Sequence, residues 1–183
     1  PDSYSVHLNY NLLSLAQLVD YIVATHHNYV KQEMPQIQSY LDRVASKHGD
    51  RHPEMRKVAE IFAAVKEEME EHMEKEEKIL FPRIKQAEKE SGDPDKMRLN
   101  VSYLQAPIFM MEEEHDHAGA ALAEIREVTN NYDPPADSCT TYRLCYAALQ
   151  AFETDLHQHV HLENNILFPK AMGLFNNNAT AFN

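Results

Sequence analysis

The chain has 183 residues, 43% of them apolar, and a formal net charge of −12. That length suits one domain with a sizeable core, and the acidity argues against nucleic acid and anionic membranes, which select basic patches. No run approaches the 18 apolar residues of a membrane span, and no charged-then-apolar signal segment opens the sequence. Two cysteines, Cys139 and Cys145, make no disulfide framework, so the cytoplasm is the expected compartment.

Only 4 glycines and a high share of Glu, Lys, Ala, Leu and Gln favour helices. Residues 1–13, with His7, read as an N-terminal tail. The first helix runs from about Ser14 to Ser46. Ser14 and Gln17 fit a capping box, and Val23, His27, Val30, Met34, Ile37, Leu41 and Val44 recur at steps of three and four. Pro35 is expected to kink it. After KHGDRHP (47–53), the second helix runs from Pro53 to about Lys85, with the stripe Met55, Val58, Phe62, Val65, Met69, His72, Glu76 and Leu80. EKESGDPDK (88–96) separates it from a third helix over about 101–130, and the loop there is expected to be enlarged. The third stripe is Ile108, Met111, His115, Ala118, Leu122 and Ile125. NNYDPPADS (130–138) leads to the fourth helix, 138–171, with Tyr142, Cys145, Leu149, Phe152, Leu156, His159, Glu163 and Ile166 in line. Pro82 and Pro169 fall near the ends of the second and fourth helices, and 172–183 read as a C-terminal tail. Four amphipathic helices with short connections imply an all-α antiparallel four-helix bundle over residues 14–171. Its second and fourth helices are expected side by side around a site.

Those two helices carry one phrase twice, HMEKEEKILFP from His72 and HVHLENNILFP from His159. Every stripe contains polar residues: His27; His72 and Glu76; His115; His159 and Glu163. A single histidine on such a stripe is more often a satisfied core residue than a ligand. A buried glutamate without a partner is a different matter, because burying an unpaired charge is costly. No Lys or Arg interrupts the stripes beside Glu76 and Glu163, and a metal would satisfy all these groups.

Residues at i and i+4 share a helix face, so each His–Glu pair aims at one point. His27 precedes His72 by 45 residues, and His115 precedes His159 by 44. This two-fold pattern favours two metals bridged by the two carboxylates, each also bound by two imidazoles. Imidazole and carboxylate with an open position point to non-haem iron, in an oxo- or hydroxo-bridged pair.

The ordered motifs THHNYVKQEMP (25–35), KHGDRHPEM (47–55), HMEKEEKILFP, EEEHDHAG (112–119) and HLENNILFP (161–169) resemble the hemerythrin-like di-iron domain. The likeness is strongest to the iron–sulfur cluster repair (repair of iron centres) family and spans about 14–171. It implies a cytoplasmic stress-response protein that restores iron–sulfur proteins damaged by nitric oxide or oxidants. It leaves open whether the site donates iron or acts enzymatically by reducing nitric oxide. Many members of that family also carry a small cysteine-bearing N-terminal domain; these 183 residues do not include one, which leaves open whether one precedes residue 1. The alternatives are a hemerythrin-type oxygen carrier or sensor, and a metal-free structural bundle.

His48 matches a family histidine but lies 21 residues after His27, roughly 31 Å along a helix, and is left out of the ligand set. His48 and His52 flank a glycine and belong at the end of the bundle. His26, His117, His157 and His161 fall off the stripes; most should face solvent, and one or two could support ligand imidazoles. Glu77 reads as part of a solvated acidic face, with a one-residue shift from Glu76 to Glu77 kept as the alternative. Glu112 precedes His115 by three, but ferritin-like sites need that spacing on two helices.

Overall fold

The structure, a computed structural model, describes residues 9–176, apart from the side chains of 94–95, 97–102 and 176. The expected tails before residue 9, with His7, and after residue 176 lie outside the described residues. The described chain forms four helical rods. The first joins α1 (Leu15–Ile22) and α2 (Asn28–His48) through a π-helical turn, Val23–His27. The second joins α3 (Glu54–Lys75) and α4 (Phe81–Lys89) through a π turn, Glu76–Leu80. The third is α5 (Pro94–Val128). The fourth joins α6 (Thr140–Leu162) and α7 (Phe168–Asn176) through a π turn, Glu163–Leu167.

The capping box is present: Ser14 Oγ accepts the Gln17 N–H at 3.1 Å, and Gln17 Oε1 accepts the Ser14 N–H at 2.9 Å. Glu88 of α4 accepts the next two N–H groups, from Leu15 and Ala16. An acidic side chain thus closes the start of α1 where the helix dipole favours it. Pro35 lies on the exposed side of α2 and does not end it.

The boundaries differ from expectation in three places. The loop expected to be enlarged after the second helix is only residues 90–93, because α4 continues to Lys89 and α5 starts at Pro94, not near 101. Asp93 accepts the Lys96 N–H at 3.4 Å, so Asp-Pro works as a helix start, with proline at a position that needs no N–H. The fourth rod passes Pro169 and reaches Asn176, and Tyr10–Leu12 form a short 3-10 turn. Pro82 and Pro169 each follow a π turn, in which the Phe81 N–H reaches Glu76 O and the Phe168 N–H reaches Glu163 O. The ladder has already changed pitch there, so the prolines do not end the rods.

Around the bundle, α2 packs on α3 and α6, and α5 packs on α3 and α6. Hence α3 and α6 stand diagonally across the core, a correction to the expected side-by-side arrangement. In an up-down-up-down bundle alternate helices are parallel and opposite. Across the core the two rods meet through side chains such as Phe62 and Phe152, and beyond the site their backbones draw closer, through α4 and α7.

Two apolar bodies result. The larger gathers Val30 to Val44, Met55 to Met73, Ala118 to Ile125 and Tyr142 to Leu156, with Phe62 and Phe152 edge to face at 5.4 Å. The smaller joins α1, α4, α7 and the first part of α5 through Leu18, Ile22, Phe81, Ile84, Leu104 and Phe168. Each fully buried side chain of this size contributes about 1.5–3 kcal/mol. In every rod the change from one body to the other falls at a proposed ligand. No described helix is long and apolar enough to cross a membrane.

Candidate metal centre

The six stripe residues meet in the layer between the two bodies. Ligand atoms of His27, Glu76, His159 and Glu163 lie within 4.8 Å of one another, and so do those of His72, Glu76, His115 and Glu163. Glu76 and Glu163 belong to both groups, and all six side chains are buried. Glu76 Oε2 stands 3.3 Å from both His27 Nε2 and His72 Nε2. Glu163 reaches His159 Nε2 through Oε1 and His115 Nε2 through Oε2, each at 3.0 Å.

Three of these residues, His27, Glu76 and Glu163, lie in the π turns. Such a turn adds a residue and widens the helix locally, a feature frequent at functional sites. It also explains His26. An α-helix separates neighbours by about 100°, yet both His26 and His27 are buried. His26 stacks on His159 at 5.6 Å, and its Nδ1 meets Asp155 at 2.9 Å. Of the off-stripe histidines it is the one that supports the site; His117, His157 and His161 are exposed.

Three of the four converging rings are held from behind. His27 Nδ1 lies 2.8 Å from Glu77, which also binds Lys31. His72 Nδ1 lies 2.8 Å from Glu114, which also binds Lys75. His115 Nδ1 lies 2.9 Å from Asn164 Oδ1. Glu77 is therefore not merely part of a solvated face, and Glu114 and Asn164 join it as supports absent from the stripes. Their signal in sequence is adjacency: Glu77 follows Glu76, Glu114 precedes His115 and Asn164 follows Glu163. Ligand histidines commonly need such acceptors to fix their tautomer.

An acceptor at Nδ1 assigns the ring hydrogen to Nδ1 and leaves Nε2 with a lone pair. The Nε2 atoms of His72 and His115 nevertheless face each other at 3.0 Å. Both oxygens of the fully buried Glu76 lack a hydrogen-bond donor, as do His27 Nε2 and Glu163 Oε2 a partner. Lone pairs aimed at one another and orphaned carboxylate oxygens are what a bound cation would resolve, so the residues fit a metal site. Without one, protons supply the positive charge. Burial pushes His27 and His72 down, but the carboxylates outweigh it and raise them to about 10 and about 9. His115 rises too, by the same balance. Burial opposes ionisation of Glu76 and Glu163, yet the imidazoles hold both below the usual carboxylate range.

His48 sits at the other end of the bundle, its Nε2 3.2 Å from Cys139 Sγ, and belongs to neither donor group. His52 is beside it, bonded to Asp137 and Glu54. Glu112 is half-buried and also outside both groups.

Residues 18–171 match the profile described as Hemerythrin HHE cation binding domain. The chain is 37% identical over 158 residues to the iron–sulfur cluster repair protein YtfE of Yersinia pseudotuberculosis serotype O:1b (strain IP 31758). It is 36% identical over 158 residues to the protein of that name from Yersinia pestis (strain Pestoides F). Each alignment covers 86% of this chain and 66% of the relative, so the chain spans just under two thirds of these relatives' length.

Proposed function

Because the chain belongs to the hemerythrin family of HHE cation-binding domains, we propose that it holds two iron ions and serves the repair of iron–sulfur proteins damaged by nitric oxide or oxidants. The observation that carries the reading is the pair of four-donor groups sharing Glu76 and Glu163. Imidazole with carboxylate is a donor set suited to non-haem iron, and the relatives bear the name of an iron–sulfur cluster repair protein. Iron bound there would supply open coordination positions for nitric oxide or oxygen and a change of oxidation state.

The protein's own residues do the rest. Glu163 faces the two donor groups with different oxygens and Glu76 faces both with Oε2, and Glu77, Glu114 and Asn164 orient three of the imidazoles. Burial alone would raise Glu77 and Glu114, but Lys31 with His27, and Lys75 with His72, hold them below the usual carboxylate range. They therefore stay ionised acceptors at neutral pH. The two apolar bodies keep bulk water from above and below the layer. A cleft of about 220 Å³, lined by Glu68, Glu71, His72, Lys75, Glu114 and His117, reaches one ligand ring from the side. Polar and charged side chains thus line the approach to that ring.

The test adds iron-loaded protein to a cluster enzyme damaged by nitric oxide. Recovery of the enzyme should track iron lost from the donor, and Glu163→Leu protein should restore nothing. Reversible oxygen binding with full iron retention and no recovery would replace repair by oxygen carriage. Absence of any metal uptake would leave a structural bundle.

A further inference from the structure

The far end of the bundle holds a second cluster of reactive groups. A groove of about 480 Å³ is lined by Asp42, Arg43, Lys47 and His48 of α2 and by Cys139 and Thr141 at the start of α6. Cys139 Sγ lies 3.2 Å from His48 Nε2 and is partly exposed. His48 is more than nine-tenths buried, lines the groove, and has no partner at its Nδ1. Its ring is fixed edge-on against Tyr142 at 5.5 Å. Cys139 is the N-cap residue of the 23-residue α6 and makes no side-chain cap, so the first N–H groups of that helix are uncapped beside the sulfur. A histidine and an open helix N-terminus are the neighbours that turn a thiol into a nucleophile.

We propose that Cys139 and His48 form a thiol–disulfide exchange site for a small disulfide carrying carboxylate groups. The charge preference comes from the rim. Arg43 and Lys47 are exposed and form no ion pair among the described residues, and they outnumber the one acidic lining residue, Asp42, whose carboxylate accepts from Gln38. On a chain of net charge −12, an unpaired cationic rim beside a helix N-terminus selects anions locally.

The exchange balances without another reactant. The Cys139 thiol passes its proton to His48 Nε2, and Sγ bonds to one sulfur of the incoming disulfide. That S–S bond breaks, and the departing thiolate takes the proton back from His48. The product is one mixed disulfide on Cys139 and one free small thiol. Cys145 does not compete. Burial pushes its thiol up to about 12, and six residues of helix place it about 9 Å along the axis from Cys139.

The probe is oxidised glutathione, an anionic disulfide, compared with neutral hydroxyethyl disulfide on the full chain at pH 7, followed by intact mass and peptide mapping. The expected result is one adduct, on Cys139, formed at least ten times faster with the anionic reagent, relative to the ratio for free cysteine. Arg43→Glu with Lys47→Glu should abolish that preference while leaving the neutral reagent's rate within two-fold. His48→Asn should slow both reagents at least ten-fold. If that variant folds poorly by circular dichroism, the reagent comparison on the unaltered chain decides alone. A rate at Cys139 no greater than that of free cysteine, or no preference for the anionic disulfide, overturns the proposal.

Discussion

Removing the metal should make stability depend steeply on pH between about 6.5 and 10, and only in the metal-free protein. His27 stands at about 10 and His72 at about 9, against an ordinary 6.5. Each ring holds its proton more tightly folded than unfolded. Its contribution is therefore complete below about 6.5 and is lost as pH rises through 9 and then 10. At about 1.4 kcal/mol per unit, His27 alone corresponds to about 5 kcal/mol and His72 to about 3 kcal/mol. Both imidazoliums lean on Glu76 and Glu163, so adding them counts the same carboxylates twice; about 5 kcal/mol is the shared figure. The two glutamates have the opposite sense: held low, they contribute above their ordinary 4.5 and lose that contribution as pH falls below it. The metal-free chain is thus most stable between about 4.5 and 6.5. Urea unfolding of chelated and iron-loaded protein at pH 6, 8 and 10 measures the effect, and the difference between the two forms cancels remote groups. That difference should grow by several kcal/mol across the range, and loading at pH 7.5 should release at least two protons per chain. Parallel pH profiles for the two forms, or metal-free stability that rises above pH 6.5, would refute the reasoning.

Glu76→Leu and Glu163→Leu should each lose bound metal, read by metal analysis, while far-UV circular dichroism stays helical, since leucine suits a buried stripe. Alanine at His27, His115 or His159 should lower occupancy, whereas alanine at His117, His157 or His161 should leave it unchanged; full occupancy in His159→Ala would break the ligand assignment. His26→Ala should fall between these groups, because it removes the ring stacked on His159. Glu77→Gln and Glu114→Gln should weaken metal binding about 10- to 100-fold in chelator competition without abolishing it; an unchanged affinity would reduce both to surface ion pairs. Phe62→Ala, deep in the larger body, should cost about 3–5 kcal/mol in urea titration with metal stoichiometry preserved.

Helical spacing alone brought the four stripes and all six converging side chains into view, because a histidine or glutamate on an apolar line stands out against its neighbours. What stayed hidden has one main cause. Periodicity assumes a constant pitch, and the π turns change it at the residues of interest. Thus spacing puts Ile166 on the buried line, although Leu167 and Phe168 are the residues driven inward, and it cannot single out His26 among the four off-stripe histidines. Glu77 and Glu114 were hidden differently, in a dense acidic run where composition cannot separate a supporting carboxylate from a solubilising one. The start of α5 was misplaced because Asp-Pro reads equally as a loop breaker and as a helix cap. The pairing of His48 with Cys139 joins residues 91 apart, beyond the reach of any local pattern.

The π turns also divide the molecule mechanically. They interrupt three of the four rods at one level, and the layer they border holds charged groups in place of apolar packing. Beyond that seam, α1, α4 and α7 are only 8–9 residues long, too short to persist as free helices. The smaller body should therefore open more readily than the larger one, hinged on the unbroken α5 and held shut in part through the shared glutamates and whatever they bind. Amide protons in Leu15–Ile22 and Phe81–Lys89 should exchange with solvent together, and faster than those of α3, once the site is stripped. The same opening would expose the ligand layer whole, so the coming and going of metal and the breathing of the smaller body would be one event.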